Sequence, residues 1–494
     1  MQIEALQQEG YQLLHDGCVE LAVVEANGIR IDVAALAKSK QDLTERLRTL
    51  KDELTQTKLW RTWRKRYGDK ASLTSGEQLA EILYGVLEFE VSSVTDKGKP
   101  STDEEALMKI DHPAIPKLIR YGKYNKALGT FLKGIEREVV GDRLHPVFNL
   151  HIPRTYRSSS DSPNFQNYPV RDKELSEIVR SKFIASPKSV IVENDFKGIE
   201  VSVSACYHKD KNFISYITTP GKDMHRDMAA QVYCVKPKEV SKEARYGAKN
   251  KFVFPQFYGD YYIACARNLW EWIEKGKLLG PDGKSLYDHL ADNGITKLGA
   301  CDPEQDAKKG TFEKHLQEVE NDFWNNRFGD YGQWRKEWFA DYQDKGYFDM
   351  LTGFRVHGTF NRNQVTNAPI QGSAFHCLLW SLIQINRALR KYQMRSMVVG
   401  QIHDSLIGDV RIKELRDYLE IVEEITTVKL RKHYDWLIVP LEIEYEIAPS
   451  IGTWFDKKEV KFKHGRFQHP TEPDKFTSDP MIFVKTFNKL MAPK

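Results

Sequence analysis

The sequence predicts an α+β fold with an antiparallel sheet, and three observations predict it. Val190–Asp195 and Met397–Gln401 are apolar runs of strand length. Leu406–Val410 follows the second run closely enough to return beside it as a hairpin. Much of the remaining chain is helical in pattern, as where Leu36, Leu43, Leu47, Leu50 and Leu54 recur at helical spacings.

Taken in order, Met1 to about Asp32 reads as a helix, then a short apolar strand, then a turn at Asn27–Gly28. Val33–Leu59 reads as a charged, solvated antiparallel helix pair. The basic run Lys58, Arg61, Arg64, Lys65, Arg66 and Lys70 carries Trp60, Trp63 and Tyr67 among its charges. A charge run of this kind usually faces water, and the interleaved rings make a phosphate-contacting surface the alternative. Lys97–Leu107 is a loop running into a helix start, with Ser101 or Thr102 as cap and Glu104 or Glu105 in the first turn. Leu144–Arg157 reads as extended. The polar stretch of about 270–315, rich in Gly, Asp and Lys, reads as an insertion. After Phe455 the tail is basic and aromatic, and Phe483–Met491 has the pattern of a small amphipathic helix.

Composition narrows the class. At 494 residues the chain is long enough for several domains, and 41% hydrophobic with 29% charged residues describes a soluble chain with a core. The formal net charge of only +4 leaves a local basic groove open without announcing one. Cys18, Cys206, Cys234, Cys265, Cys301 and Cys377 form no CxxC pair, which argues against a zinc site and suits a reducing cytoplasm. The N-terminus lacks the basic and apolar regions of a signal peptide, and no apolar stretch is long enough to span a membrane.

Four segments carry the chemistry: Arg157–Arg171 (RSSSDSPNFQNYPVR), Ile191–Glu200 (IVENDFKGIE), Arg245–Gly259 (RYGAKNKFVFPQFYG) and Gln401–Ser405 (QIHDS). Alone, Asp195 or Asp404 is an ordinary turn residue. Each follows an apolar strand, however, so adjacent strands can bring the two together. Paired carboxylates repel unless cations neutralise them, and magnesium is the hard cation that prefers oxygen ligands and phosphates. Two such ions, about 4 Å apart, can run in-line attack on a phosphate. Arg245 and Lys249, four apart on one helical face, can grip a triphosphate. Their aromatic neighbours Phe252, Phe254, Phe257, Tyr258, Tyr261 and Tyr262 suit a base. Arg157, Asn164, Gln166, Asn167 and Arg171, with Asn367 and Gln371 further on, offer donors that can test base-pair shape through minor-groove acceptors.

These segments, in this order, resemble DNA polymerase family A, the bacterial DNA polymerase I group, over roughly residues 15–455. VENDFKGIE, EARYGAKNKFVFPQFYG and QIHDS are similar to the family's motifs A, B and C. NAPIQGSA resembles the helix between B and C, GKDMHRDMAAQVY the approach to the fingers, and KPSTDEEAL a thumb segment. The resemblance implies a right hand: an N-terminal segment at 1–35, thumb at 36–140, palm at 141–205 and 351–455, fingers at 206–350, and a C-terminal extension at 456–494. It implies that Asp195 and Asp404 are catalytic and bind two Mg2+ ions, helped by the Phe196 carbonyl. Arg245, Lys249, His225 and Phe254 would hold the incoming deoxynucleoside triphosphate, with Glu200 excluding a 2′-hydroxyl. Arg157, Gln166, Asn367, Gln371 and His403 would contact primer–template DNA, and Tyr258 would stack near the templating position.

The chain departs from the family pattern at several points. Gly198 and Ser202 stand where glutamine and arginine are common, and Asn363 where an arginine is common. Motif C usually ends in glutamate, and Ser405 stands there. The family spaces the arginine, lysine, aromatic and Tyr-Gly of motif B four residues apart. Here Phe254 is five residues after Lys249, so one residue is inserted. A π-bulge between Lys249 and Phe254 is the expected accommodation, with Pro255 fitting because it lacks an N–H. A continuous α-helix there would make Lys251 the rival phosphate ligand.

The chain begins almost where the polymerase portion of the family begins, so no 3′–5′ exonuclease activity is expected of it. A separate exonuclease, a longer parent chain, a helicase or a processivity factor stay open as partners. The divergent motifs point to a phage-type branch, and to the cytoplasm of a bacterial or phage-infected cell. The competing readings are a single-subunit RNA polymerase, a metal-dependent nuclease and a non-catalytic binding protein. Glu200 and the thumb-like segment favour DNA synthesis over the first. Neither of the other two explains Arg245, Lys249 and the metal carboxylates together. The tail either packs on the palm or binds DNA, a clamp or a helicase.

Overall fold

The computed structural model describes residues 5–95, 97–281, 283–299 and 308–491. Cys301 and part of the 270–315 segment lie outside them. At the centre is a five-stranded antiparallel sheet in the order Lys458–Val460, Ile443–Ile447, Ser189–Phe196, Ser405–Arg411, Met397–Ile402. Ser189–Phe196 is the middle strand, and Val190, Val192 and Phe196 are buried on one of its faces. Burial between two neighbours explains why it reads as a near-continuous apolar run. The expected hairpin is present: Met397–Ile402 and Ser405–Arg411 are joined by the two residues His403 and Asp404.

The helix Arg362–Lys391 runs 30 residues, most of them buried. Asn361 starts it with a capping box to Gln364. The N-terminal helix Ala5–Asn27 packs on this helix and on the strand Met397–Ile402. Here the structure corrects the sequence reading, since no strand precedes Gly28. Leu21 and Val24, three apart, share one helix face and are buried on it. Gly28, at φ +58, then turns the chain into the short strand Ile29–Arg30. A Cβ there would stand 2.7 Å from the His145 ring, so only glycine fits the turn.

Val33–Thr55 and Lys58–Tyr67 are helices capped by Asp32 and Thr57. Leu54, Leu59, Trp63, Ile82, Leu83, Leu107 and Leu118 form a second, separate apolar core. Trp63 is fully buried in it and donates to Gln78, so this ring is core rather than surface. The cap of the helix Glu104–Met108 is Asp103, not Ser101 or Thr102. Ser101 is buried and bonds the Asp103 carboxylate instead. An aspartate one residue from the first turn caps as well as serine.

The helices Tyr262–Gly276 and Phe312–Asp322 pack together. Leu278, Leu286, Leu290 and Ile295, between them, are buried, so this polar stretch contributes to the core. The tail adds the edge strand Lys458–Val460 to the central sheet. It then forms a three-stranded sheet and the helix Pro480–Met491, whose Phe483 stacks on Phe467 at 4.5 Å. No helix of the described residues is long and apolar enough to cross a membrane.

Candidate active site

Asp195 lies near the end of the middle strand, paired in register with Ser405 on one side and Glu444 on the other. Asp404 sits in the hairpin turn immediately before Ser405, after His403 at φ +48. The Phe196 N–H donates to the Asp404 carbonyl at 3.3 Å, tying the turn to the strand end. Sheet register thus brings the two aspartates together across 209 positions of sequence.

Both carboxyls are perturbed. Burial first, then repulsion from Asp404, Glu193 and Glu444, pushes Asp195 up to about 7. Burial also raises Asp404, and the Arg157 guanidinium partly offsets it. The buried Asp404 Oδ1 has no hydrogen-bond partner, and Arg157 stands 4.0 Å from it. Two half-buried groups of like charge, one with an orphaned oxygen, fit a hard divalent cation. Among the described residues no three His, Cys, Asp or Glu side chains cluster as a metal cage. Two carboxylates with nearby backbone oxygens could hold such a cation and would leave places for water and phosphate.

Glu200 lies in the first turn of the helix Ile199–His208. Its carboxylate accepts from the Tyr258 hydroxyl at 3.1 Å and lies 3.6 Å from Arg157. Burial, then the Asp404 charge, raises its pKa. A cavity of about 190 Å³ opens between them, lined by Glu200, Phe254, Tyr258, Asn367, Gln371 and Asp404. Six residues expected from four distant segments thus line one cavity. Asn367 also donates to the Tyr258 carbonyl at 3.3 Å, holding that ring's helix end in place.

The helix carrying Tyr258 has the expected irregularity. Lys242–Ala248 is α-helical, Lys249–Val253 is a π-turn, and Phe254–Tyr258 is α-helical again. The π-turn puts Lys249 Nζ 5.2 Å from the Phe254 ring centroid. His225 meets the same ring edge-on at 5.7 Å. Burial, then the charges of Lys249 and Arg245, pushes the His225 imidazole down to about 4. Its buried Nδ1 has no partner. Arg245 Nε donates to Asp223 at 2.7 Å. Together they make a cationic and imidazole cluster with one unused nitrogen. Just beyond, Gly259 at φ +93 lets Asn363 approach, since a Cβ would meet Oδ1 at 2.1 Å.

Gln166 faces inward. Its amide donates to Gln401 at 2.7 Å and Ser158 at 2.8 Å, and Gln401 in turn donates to the His403 carbonyl at 2.7 Å. It therefore braces the turn that carries His403 and Asp404. Burial, then Arg157, lowers the His403 pKa.

Sequence reasoning missed several participants. Asp223, which caps the helix Met224–Val232 and holds Arg245, carried no signal of its own. Tyr331 also lines the cavity, beside the expected aromatic Phe257, and comes from a segment with no motif. Glu193 repels Asp195 from two residues upstream; strand alternation alone places it on the same face.

A central antiparallel sheet that carries paired carboxylates, faced by a cation-bearing helix, defines a right-hand polymerase fold. The chain belongs to DNA polymerase family A, whose model matches residues 34–275 and 321–453. The unmatched stretch between those ranges, 276–320, overlaps most of the segment read as an insertion. Metal dependence is general in that family. The chain is 27% identical over 478 residues to DNA polymerase I of Lactococcus lactis subsp. cremoris, covering 93% of this chain and 47% of that one. It is 26% identical over 447 residues to the DNA polymerase of Bacillus phage SP01, covering 85% and 44%. The chain spans about half the length of the curated relatives it matches. Among solved structures, the polymerase domain of Pol1 from M. smegmatis, in complex with DNA primer-template and dNTP, shares the fold. It does so at a TM-score of 0.67 and 23% identity, covering 89% of this chain and 70% of that one.

Proposed function

We propose that this chain is a DNA-directed DNA polymerase that extends a primer 3′-hydroxyl with deoxynucleotides. The observation that carries the reading is the half-buried pair Asp195 and Asp404, with an orphaned, buried Asp404 oxygen beside the Glu200–Tyr258 cavity. Two Mg2+ ions held by these carboxylates and the Phe196 carbonyl would supply the charge that activates the primer hydroxyl and neutralises the departing pyrophosphate.

The remaining work falls to the chain's own residues. Arg245 and Lys249 grip the triphosphate by charge-assisted hydrogen bonds. His225, kept neutral by burial, offers a nitrogen that is otherwise unpaired. Phe254 packs between Lys249 and His225 and fixes both. Glu200, locked by Tyr258, fills the space a 2′-hydroxyl would need. Arg157, Gln371, Asn367 and His403 meet the primer–template end, with Gln166 bracing the turn and Tyr258 stacking near the templating base. Arg157 also balances the negative charge of Glu200 and Asp404 before DNA arrives.

The test is extension of a labelled primer on a DNA template by the wild type, Asp195→Ala and Asp404→Ala. Magnesium- and deoxynucleotide-dependent extension, lost in both variants while primer–template binding persists, is the expected result. Wild-type protein that binds primer–template with magnesium and nucleotide present, yet adds none, would overturn it.

A further inference from the structure

Glu193 lies two residues before Asp195 on the strand Ser189–Phe196, so both side chains rise from one face of the sheet. Its carboxylate is only 12% exposed. Trp454 Nε1 donates to it at 2.8 Å, and Lys457 Nζ pairs with it at 2.6 Å. Lys457 also holds Glu446 at 2.5 Å, opposite Glu193 in the sheet register. Trp454 is itself clamped, with Arg180 over its ring at 4.0 Å and Phe165 stacked at 5.5 Å. Such a carboxylate has one rotamer and no freedom to wander.

The Ser405 hydroxyl shares its one proton between the Ile402 carbonyl at 3.0 Å and the second Glu193 oxygen at 3.3 Å. Ser405 follows Asp404 directly and faces Asp195 in register. It occupies the position where the family pattern usually has a glutamate. A serine there is short enough to leave room for a carboxylate arriving from the neighbouring strand. A buried ion pair serving only the core would need Lys457 and Trp454, but it would have no reason to reach the residue that terminates the Asp404 turn.

We propose that Glu193 is a positioning carboxylate that replaces, from the adjacent strand, the glutamate missing at Ser405. Through the Ser405 hydroxyl it steadies the Asp404 turn, and with Glu446 it offsets the Lys457 charge that would otherwise oppose a divalent cation beside Asp195. The inference rests on the polymerase reading for its purpose, but its test does not require primer extension.

Mn2+ binding to the full chain, without DNA or nucleotide, is read by electron paramagnetic resonance of the free ion. Thermal melting is run in parallel. Glu193→Gln keeps the size and the Trp454 bond, and is expected to weaken Mn2+ binding about tenfold, as loss of an outer-shell partner does. Adding Ser405→Glu to that variant is expected to restore most of the affinity. Ser405→Ala, which deletes one oxygen and leaves the ion pair with Lys457, is expected to weaken binding without moving the melting midpoint. It decides the matter should Glu193→Gln not fold. Unchanged Mn2+ affinity in Ser405→Ala and Glu193→Gln, a loss in Glu193→Gln that Ser405→Glu does not restore, or no Mn2+ binding by the wild type would each overturn the proposal. Wild-type protein that binds Mn2+ as expected yet extends no primer would sink the polymerase reading alone.

Discussion

The π-turn at Lys249–Val253 is a phase corrector, and shifting the chain by one residue in either direction tests this. In a regular α-helix, residues five apart are displaced by about 140° around the axis, whereas residues four apart differ by about 40°. Lys249 and Phe254 are five apart, yet the Lys249 ammonium lies 5.2 Å from the Phe254 ring centroid. The π-turn has absorbed about 100°, one residue's worth of rotation. With side chains about 6 Å from the axis, a further 100° would carry Phe254 and Tyr258 about 9 Å around the helix from the Arg245 and Lys249 face. An alanine inserted after Asn250 does this unless a second bulge forms. It is expected to lower kcat/KM for deoxynucleotide at least ~100-fold, about 2.7 kcal/mol, comparable to losing one hydrogen bond to a charged group. Deleting Asn250 should instead convert the π-turn to α-helix, since Lys249 and the aromatic then stand four apart. Phe252 and Val253 keep their phase with the residues after them, and kcat/KM is expected to stay within about tenfold. Single-nucleotide incorporation measures both, with melting curves to show that each variant is folded. Equal losses in the folded insertion and deletion variants would refute the phase argument.

Two other consequences are open to measurement. Asp195, raised from 3.8 to about 7, binds a proton more readily folded than unfolded, so without metal the stability it contributes is fully present below pH 3.8 and is lost as pH rises through 7. The loss is at most about 4 kcal/mol. In chelator, Asp195→Asn is expected to match the wild type at pH 4 and exceed it at pH 8 in urea unfolding; parallel curves across that range would contradict this. Glu200→Ala opens the space beside Tyr258 and breaks its 3.1 Å bond, and is expected to raise ribonucleotide use relative to deoxynucleotide at least ~10-fold in competition assays. An unchanged ratio would remove Glu200 from sugar selection.

What the sequence disclosed, and what it withheld, divides along the range of the interaction. Val190–Asp195 and Met397–Gln401 were legible because strand length and apolar content are local. The π-turn was legible for the same reason, since counting residues within one helix suffices. The strand expected before Gly28 failed on the same ground: Leu21 and Val24 suit a strand or a helix, and only the distant helix Arg362–Lys391 decides between them. Longer range still, Trp454 and Lys457 reach Glu193 across more than 260 positions, and no periodicity announces such a meeting. Read one at a time, Ser405 is a missing carboxylate and Glu193 an ordinary strand residue. The register Ser405↔Asp195, with Glu193 two residues away on the same face, turns two separate departures into one exchange between neighbouring strands. A substitution in an active site is therefore best weighed against its cross-strand partners, because the sheet fixes which side chains can compensate for one another.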